Sequence, residues 1–117
     1  QLEGKFDGLS IRVPTPVVSI SDVTVLLERN TTAEEINEVF KKAANEPYYR
    51  GILGVSDEPL VSRDYIGNSY SGVVDLLLTK VVGGNLAKIM VWYDNEWGYS
   101  NRLVELVADV GHYAHQN

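Results

Sequence analysis

The amino-acid sequence predicts an α+β domain: a mostly antiparallel sheet with helices packed on it, and a further helix at the C-terminal end. Three observations support this class. Most apolar segments look like strands, two segments have helical spacing, and the element order lacks the strand–helix alternation of a parallel sheet. With 117 residues, 44% of them hydrophobic, the chain has the size of one domain.

Two strands are expected in the first thirty residues. The first covers residues 9–13 and is interrupted by a Pro-Thr-Pro segment, because proline cannot donate to a sheet ladder. The second covers residues 17–28 and is rich in Val, Ile, Ser and Thr. Both of its faces are largely apolar, which predicts a strand covered on both sides, and one cover could be another subunit.

A helix should follow, since Thr32 and Glu35 form a capping box ahead of apolar residues at helical spacing. Pro47 should end it. Strands are then expected over residues 51–55, 60–65, 71–82 and 86–93. A helix is the alternative for residues 71–82, because their three consecutive leucines fit the period of a helix as well as that of a strand. Ser100 or Asn101 is expected to cap the last helix.

Composition excludes several functions. The net charge is −6 and the acids are scattered, which argues against nucleic-acid binding. No apolar run is long enough for a membrane span, and no N-terminal signal pattern occurs, so a cytoplasmic protein is expected.

The absence of cysteine excludes a thiol nucleophile and thiolate metal sites from this chain. His112 and His115 could ligate a metal, but the interpretation as helix-end cations is favoured. Because the first residue is Gln1, the chain is expected to be a piece of a longer protein.

Residues 92–101 are the most informative stretch, because they join an apolar strand to a helix and crowd aromatic, acidic and amide side chains together. Asn95 can both donate and accept, which suits recognition of a carboxamide, and Tyr99 could pack on a flat ring. The alternative is a purely structural corner, and both interpretations stay open. The corner would use Trp92 in the core, Asp94 or Asn95 as a cap and Gly98 for an unusual φ.

Arg12 is the other candidate, a lone arginine directly before the rigid Pro-Thr-Pro segment. Its planar, permanently charged fork suits a phosphate or a carboxylate. Considered by itself, the pattern favours an ordinary surface arginine at the end of a strand.

Together these segments resemble the phosphorylating glyceraldehyde-3-phosphate dehydrogenases, in order and approximate spacing. The similarity runs through Arg-Val-Pro-Thr-Pro from Arg12, Gly-Ile-Leu-Gly from Gly51, Asp-Glu-Pro-Leu-Val-Ser from Asp57, and Trp-Tyr-Asp-Asn-Glu-Trp-Gly-Tyr-Ser-Asn-Arg from Trp92. The resemblance implies that residues 1–117 are the C-terminal half of the catalytic domain of an NAD-dependent, homotetrameric enzyme of glycolysis.

The resemblance also implies roles for three residues. Arg12 would bind a phosphate of the aldehyde substrate, Asn95 would hydrogen-bond the nicotinamide carboxamide of NAD, and Tyr99 would lie near the nicotinamide. Glyceraldehyde 3-phosphate and inorganic phosphate would be the reactants. No catalytic residue falls in this chain, which lacks the family's cysteine and the glycine fingerprint of its nucleotide-binding domain, so the fragment alone should be inactive.

Two alternatives remain open beside this interpretation. One is erythrose-4-phosphate dehydrogenase, a relative with the same chemistry on a longer sugar. The other is a non-catalytic oligomerisation or binding module that has the same fold.

Overall fold

The structure, a computed structural model, describes residues 3–115, which contain a four-stranded sheet, two α-helices and a short 3₁₀ helix. In chain order these elements are β1 (Ser19–Leu26), α1 (Ala33–Asn45), β2 (Leu53–Ser56), the 3₁₀ helix (Ser62–Tyr65), β3 (Gly72–Val82), β4 (Leu86–Tyr93) and α2 (Trp97–His115). The predicted α+β class with a C-terminal helix is confirmed.

The sheet has the strand order β1-β4-β3-β2. β4 pairs antiparallel with both β1 and β3, whereas β2 pairs parallel with β3, so the sheet is mostly antiparallel as expected. In the β1–β4 pair, Ser19 lies opposite Tyr93 and Leu26 lies opposite Leu86. The start of β1 and the end of β4 therefore lie at the same end of the sheet.

Each face of the sheet has its own apolar cluster, because successive residues of a strand point to opposite faces. On one face Val74, Leu76 and Ile89 pack with Ile36 and Phe40 of α1. The cluster on the other face contains Val18, Tyr65 and Val73, with Val17, Leu60, Tyr70 and Trp92 packed against it. This second cluster lies beneath the junction of β4 and α2.

The predicted start of α1 is confirmed. The Thr32 hydroxyl accepts a hydrogen bond from the backbone N–H of Glu35 at 3.2 Å. The Glu35 carboxylate accepts from the Thr31 hydroxyl at 2.7 Å and from Arg29 at 3.2 Å, and these partners lower the pKa of that carboxyl. α1 ends at Asn45, just before Pro47, as the sequence predicts.

Two predicted strands are wrong. Residues 9–13 are exposed and form no strand, since no neighbouring strand among residues 3–115 completes a ladder with them. Residues 60–65 contain the 3₁₀ helix. The Asp64 carboxylate accepts from the backbone N–H of Val61 at 2.8 Å, and this local bond favours a tight turn over a ladder.

Two predicted boundaries are also corrected. β1 is shorter than residues 17–28 because Val18 has a φ of 76°, which ends the extended backbone on that side. The last helix begins at Trp97 and not at Ser100 or Asn101. Extended structure for residues 71–82 and the strand over residues 86–93 are confirmed, and β3 is paired on both sides.

Large apolar surfaces remain exposed on the outer elements. β1 is an edge strand, and its Val23 and Val25 are about two-fifths exposed. An apolar stripe of α2 is also exposed, namely Leu103, Leu106, Val107 and Val110. Coverage of both faces of β1 concerns the assembled protein and stays a prediction. Within residues 3–115, the two helices are too short or too polar to cross a membrane.

Candidate functional site

Asp94 organises the junction between β4 and α2. Its side chain is buried, with one carboxylate oxygen accepting from the backbone N–H groups of Trp97 at 2.8 Å and Glu96 at 3.2 Å. The other oxygen accepts from the N–H of Gly67 at 2.9 Å. Burial alone would raise the pKa of Asp94, but the three hydrogen bonds outweigh it and lower that pKa below its usual value. Asp94 is therefore the cap that the structural interpretation proposed.

Asn95 does not cap the helix. It is exposed, and its amide nitrogen donates to the Ser19 hydroxyl oxygen at 2.7 Å, across 76 positions of the sequence. Ser19 is the first residue of β1 and lies opposite Tyr93 at the end of β4. The contact therefore joins the beginning of one strand to the loop that follows its neighbour.

Val18, the residue before Ser19, has an unusual backbone. Its φ of 76° lies in the left-handed region, which is strained for a β-branched residue. Val18 is buried and packs in the cluster that contains Tyr65 and Trp92, and this packing holds the strained conformation in place. The strain lies directly beside the serine that contacts Asn95.

Trp92 provides a rigid base for the junction. Its ring stacks on Tyr65 with the ring centroids 5.4 Å apart and an angle of 13° between the planes. Its indole N–H donates to the buried carboxylate of Asp75 at 3.0 Å. Trp92 is half-buried and packs against the buried cluster that contains Tyr65, so the core position proposed from the sequence is confirmed in part.

Glycine is needed at position 98 because another part of the backbone approaches it closely. The unusual φ that the sequence predicted for Gly98 is wrong. Its φ is outside the left-handed region, but a Cβ built on it would lie 2.7 Å from the backbone oxygen of Tyr70. Arg102 anchors α2 on the same side, donating to the carbonyl oxygen of Gly51 at 2.9 Å. The first turns of α2 are thus held against the segments that lead into β2 and β3.

Ser100 and Asn101 lie inside the first turns of α2 and do not cap it. The Ser100 hydroxyl donates to the carbonyl of Glu96 at 2.7 Å, and the Asn101 amide donates to the carbonyl of Trp97 at 2.8 Å. These are the backward bonds that polar side chains make to the preceding helical turn. Asp94, by contrast, reaches the N–H groups that the helix start leaves without partners.

Two of the three predicted binding residues, Asn95 and Tyr99, lie at the junction of β4 and α2. Tyr99 is on the first turn of α2 and is 69% exposed. Arg12 is exposed on the irregular segment seven positions before Ser19. Within residues 3–115, no hydrogen bond joins Arg12 to Asn95 or Tyr99. The binding roles of these three residues stay predictions.

Sequence reasoning missed two polar residues that shape the junction. Asp75 had a recognisable signal, since it is the only charge in the apolar run from Gly72 to Thr79. Ser19 had none, because a serine in a strand with mixed faces gives no sign of a partner 76 positions away.

Comparison with known proteins decides the family. The family model described as glyceraldehyde 3-phosphate dehydrogenase, C-terminal domain, matches residues 1–95. The chain belongs to this family. The match includes Arg12 and ends at Asn95, so Tyr99 lies beyond it.

Individual glyceraldehyde-3-phosphate dehydrogenases are similar over nearly all of the chain. The enzyme of Zymomonas mobilis is 54% identical over 110 residues, which is 94% of this chain and 33% of that relative. Glyceraldehyde-3-phosphate dehydrogenase 2 of Bacillus subtilis is 52% identical over 109 residues, with shares of 93% and 32%. The chloroplastic enzyme A of Chlamydomonas reinhardtii is 50% identical over 105 residues, with shares of 90% and 28%. The chain spans about a third of the length of these relatives.

Proposed function

We propose that the chain is the C-terminal part of the catalytic domain of an NAD-dependent, phosphorylating glyceraldehyde-3-phosphate dehydrogenase. The complete enzyme converts glyceraldehyde 3-phosphate and inorganic phosphate to 1,3-bisphosphoglycerate. The observation that carries this proposal is the family match over residues 1–95, which includes Arg12 and Asn95. A homotetramer in the cytoplasm is part of the proposal. The exposed apolar faces of β1 support the assembly.

The nicotinamide group of NAD suits the residues at the β4–α2 junction. Asn95 is exposed, and its amide nitrogen donates one N–H to Ser19, which leaves the second N–H and the amide oxygen to pair with a carboxamide. Tyr99, exposed four positions further on, offers an aromatic surface to a flat ring. NAD supplies the hydride acceptor when it is bound. In this proposal Asn95 holds the carboxamide and so sets which face of the ring meets the substrate.

Arg12 binds the substrate in this proposal. Its guanidinium is exposed and can donate two parallel hydrogen bonds to a phosphate group. The prolines that follow restrict the backbone on which it is carried. The covalent step belongs to a cysteine in another part of the enzyme, which forms a thioester that phosphate then cleaves. The 117-residue chain, which has no cysteine, is expected to be inactive by itself.

Substitution of Arg12 tests the substrate role in the complete enzyme. Arg12→Ala should lower kcat/KM for glyceraldehyde 3-phosphate by about 10- to 100-fold, the size of a charge-assisted contact, and should leave the KM for NAD unchanged. Arg12→Lys should restore only part of the loss, because a point charge cannot replace a fork. Arg29→Ala is the control, since Arg29 is an exposed arginine beyond the opposite end of β1. Unchanged kinetics in Arg12→Ala would make Arg12 an ordinary surface residue.

Turnover measurements distinguish the alternatives. The complete enzyme should use glyceraldehyde 3-phosphate with a higher kcat/KM than erythrose 4-phosphate. The reverse preference would identify the longer-sugar enzyme. No turnover of either aldehyde would favour a non-catalytic module. Turnover by the purified 117-residue chain, free of host enzyme, would refute its predicted inactivity.

A further inference from the structure

We propose that Val18 is a positioning residue for Arg12. Its strained backbone, which the burial of its own side chain holds in place, sets the direction in which residues 12–17 leave the sheet. This inference rests on the proposed function, because it takes Arg12 as the residue that binds the substrate phosphate. It goes beyond that function by naming the residue, six positions along the chain, that determines where the Arg12 guanidinium is presented.

The backbone is what aims the Arg12 side chain. The side chain is exposed, and within residues 3–115 no hydrogen bond or ion pair holds it. Arg12 also lies outside the sheet, on an irregular segment whose course no strand ladder fixes. The place of its guanidinium therefore depends on the local turns of residues 12–17 and on the point where they join β1.

Residues 12–17 are stiffer than an ordinary loop. Their two prolines each have a fixed φ. The N–H of Thr15 donates to the carbonyl oxygen of Val13 at 2.8 Å, which closes a three-residue turn around Pro14. A stiff segment transmits a change of direction at its base to its other end. A rotation where the segment joins β1 would therefore displace Arg12.

Val18 lies at this junction. Its φ of 76° is in the left-handed region, which is disfavoured for a β-branched side chain, and it is the only non-glycine residue among residues 3–115 with a positive φ. Relaxation to a negative φ would turn the two flanking peptide groups relative to each other. β1 cannot follow this turn, because its eight residues are paired with β4 from Ser19 opposite Tyr93 onward. The movement would fall on residues 12–17.

Packing keeps Val18 in the strained conformation. Its side chain is 5% exposed and lies in the cluster with Tyr65 and Val73, against which Trp92 packs. A relaxed backbone would withdraw the valine side chain from this cluster, so the cost of exposing its methyl groups opposes relaxation. Strain that the surroundings hold in this way is characteristic of functional sites.

The experiment compares glyceraldehyde 3-phosphate with glyceraldehyde, the same aldehyde without the phosphate. In the complete enzyme, kcat/KM is measured for both at one fixed concentration of NAD and of inorganic phosphate, and the ratio of the two values is the phosphate preference. Only the phosphorylated aldehyde brings its own phosphate to Arg12. A general structural defect lowers both values and leaves the phosphate preference unchanged, whereas displacement of Arg12 lowers the preference.

Val18→Ala should lower the phosphate preference by about 3- to 10-fold, which is part of the 10- to 100-fold loss expected for Arg12→Ala. The smaller side chain no longer holds the backbone in its strained conformation. Val18→Gly should stay within about twofold of wild type, because glycine adopts a positive φ without steric cost. Val73→Ala is the matched control, since it removes the same atoms from the same cluster at a residue without positive φ. It should also stay within about twofold.

Thermal unfolding of the same variants tests the strain without reference to activity. At an ordinary position glycine gives a less stable protein than alanine, because glycine has more freedom in the unfolded chain. At a φ of 76° this order should reverse, so Val18→Gly should melt at a higher temperature than Val18→Ala. The ordinary order should hold for Val73→Gly and Val73→Ala. A higher melting temperature for Val18→Ala than for Val18→Gly would overturn the proposal, because the backbone would then not be strained.

The two proposals fail in different ways. If Arg12→Ala lowers the phosphate preference and Val18→Ala does not, Val18 has no positioning role and the proposed function of Arg12 stands. If Arg12→Ala leaves the preference unchanged, Arg12 does not bind the substrate phosphate and both proposals fall. A loss in Val73→Ala or Val18→Gly as large as that in Val18→Ala would assign the effect to packing alone and would overturn the role of the strained backbone. The Val18→Ala and Arg12→Ala double variant should match Arg12→Ala, since Val18 acts through Arg12.

Discussion

Replacement of Asp94 should loosen the junction in two separable ways, because its two carboxylate oxygens serve different parts of the fold. One oxygen holds the N–H groups of Glu96 and Trp97 at the start of α2, and the other holds the N–H of Gly67. Asp94→Ala removes both contacts. Asp94→Asn keeps an oxygen for the helix start but places an amide NH₂ beside the N–H of Gly67, so only that contact is lost.

The expected magnitudes follow from these contacts. A side-chain cap at a helix start contributes about 0.5–2 kcal/mol, and a hydrogen bond to a charged acceptor contributes about 1.5–3 kcal/mol. We therefore expect the free energy of local opening to fall by about 1.5–3 kcal/mol in Asp94→Asn and by about 2–5 kcal/mol in Asp94→Ala. The difference between the two variants measures the cap.

Amide hydrogen exchange on the complete enzyme can follow both contacts at once. Peptides that cover residues 66–69 and 94–101 report the two ends of the clamp. Since about 1.4 kcal/mol corresponds to a tenfold change, protection near Gly67 should fall by at least about tenfold in both variants. Protection at the start of α2 should fall strongly only in Asp94→Ala. Equal loss in both variants, or protection unchanged in Asp94→Ala, would refute this account of the clamp.

The same residue predicts a dependence on pH. The pKa of Asp94 is lowered in the folded protein from its ordinary value of 3.8, because the three N–H donors favour the carboxylate. The contribution to stability is fully present above that ordinary value and is lost as the pH falls through the folded pKa. At pH 5 the wild-type enzyme should be better protected from amide hydrogen exchange than Asp94→Asn. This difference should therefore shrink as the pH is lowered from about 5 to about 3.

Two further predictions concern packing around the junction, and urea denaturation or thermal unfolding of the complete enzyme checks both. Gly98→Ala should destabilise by about 1–3 kcal/mol, because its Cβ would lie 2.7 Å from the Tyr70 carbonyl oxygen. Its control, Gly111→Ala in the same helix, meets nothing within 4 Å and should be neutral or stabilising by up to about 1 kcal/mol. Tyr65→Phe should change stability by less than about 1 kcal/mol, since the buried Tyr65 hydroxyl has only a weak contact with the Ser56 side chain and no well-formed hydrogen bond among residues 3–115. Tyr65→Ala should cost about 3–5 kcal/mol, because the stack on Trp92 is lost. A large loss in Tyr65→Phe would show that the hydroxyl is paired after all.

The sequence alone determined the elements whose signals are local. The start of α1 at Thr32 and its end before Pro47 depend on capping chemistry within a few residues. The turn between β3 and β4 depends on Gly83 and Gly84, which both adopt a positive φ. The apolar run that became β4 was predicted with the bounds that the structure has. Characteristic motifs were also sufficient to indicate the family.

Only the tertiary structure decided the features that depend on contacts between distant segments. Several polar residues near the start of α2 could cap it, and Asp94 takes the role because it also binds Gly67, which lies 27 positions away. Gly98 is required by the approach of Tyr70, which no pattern within the helix announces. The bond between Asn95 and Ser19 joins residues 76 positions apart. Such contacts arise from strand pairing and packing, and a single sequence carries no local record of which residues these bring together.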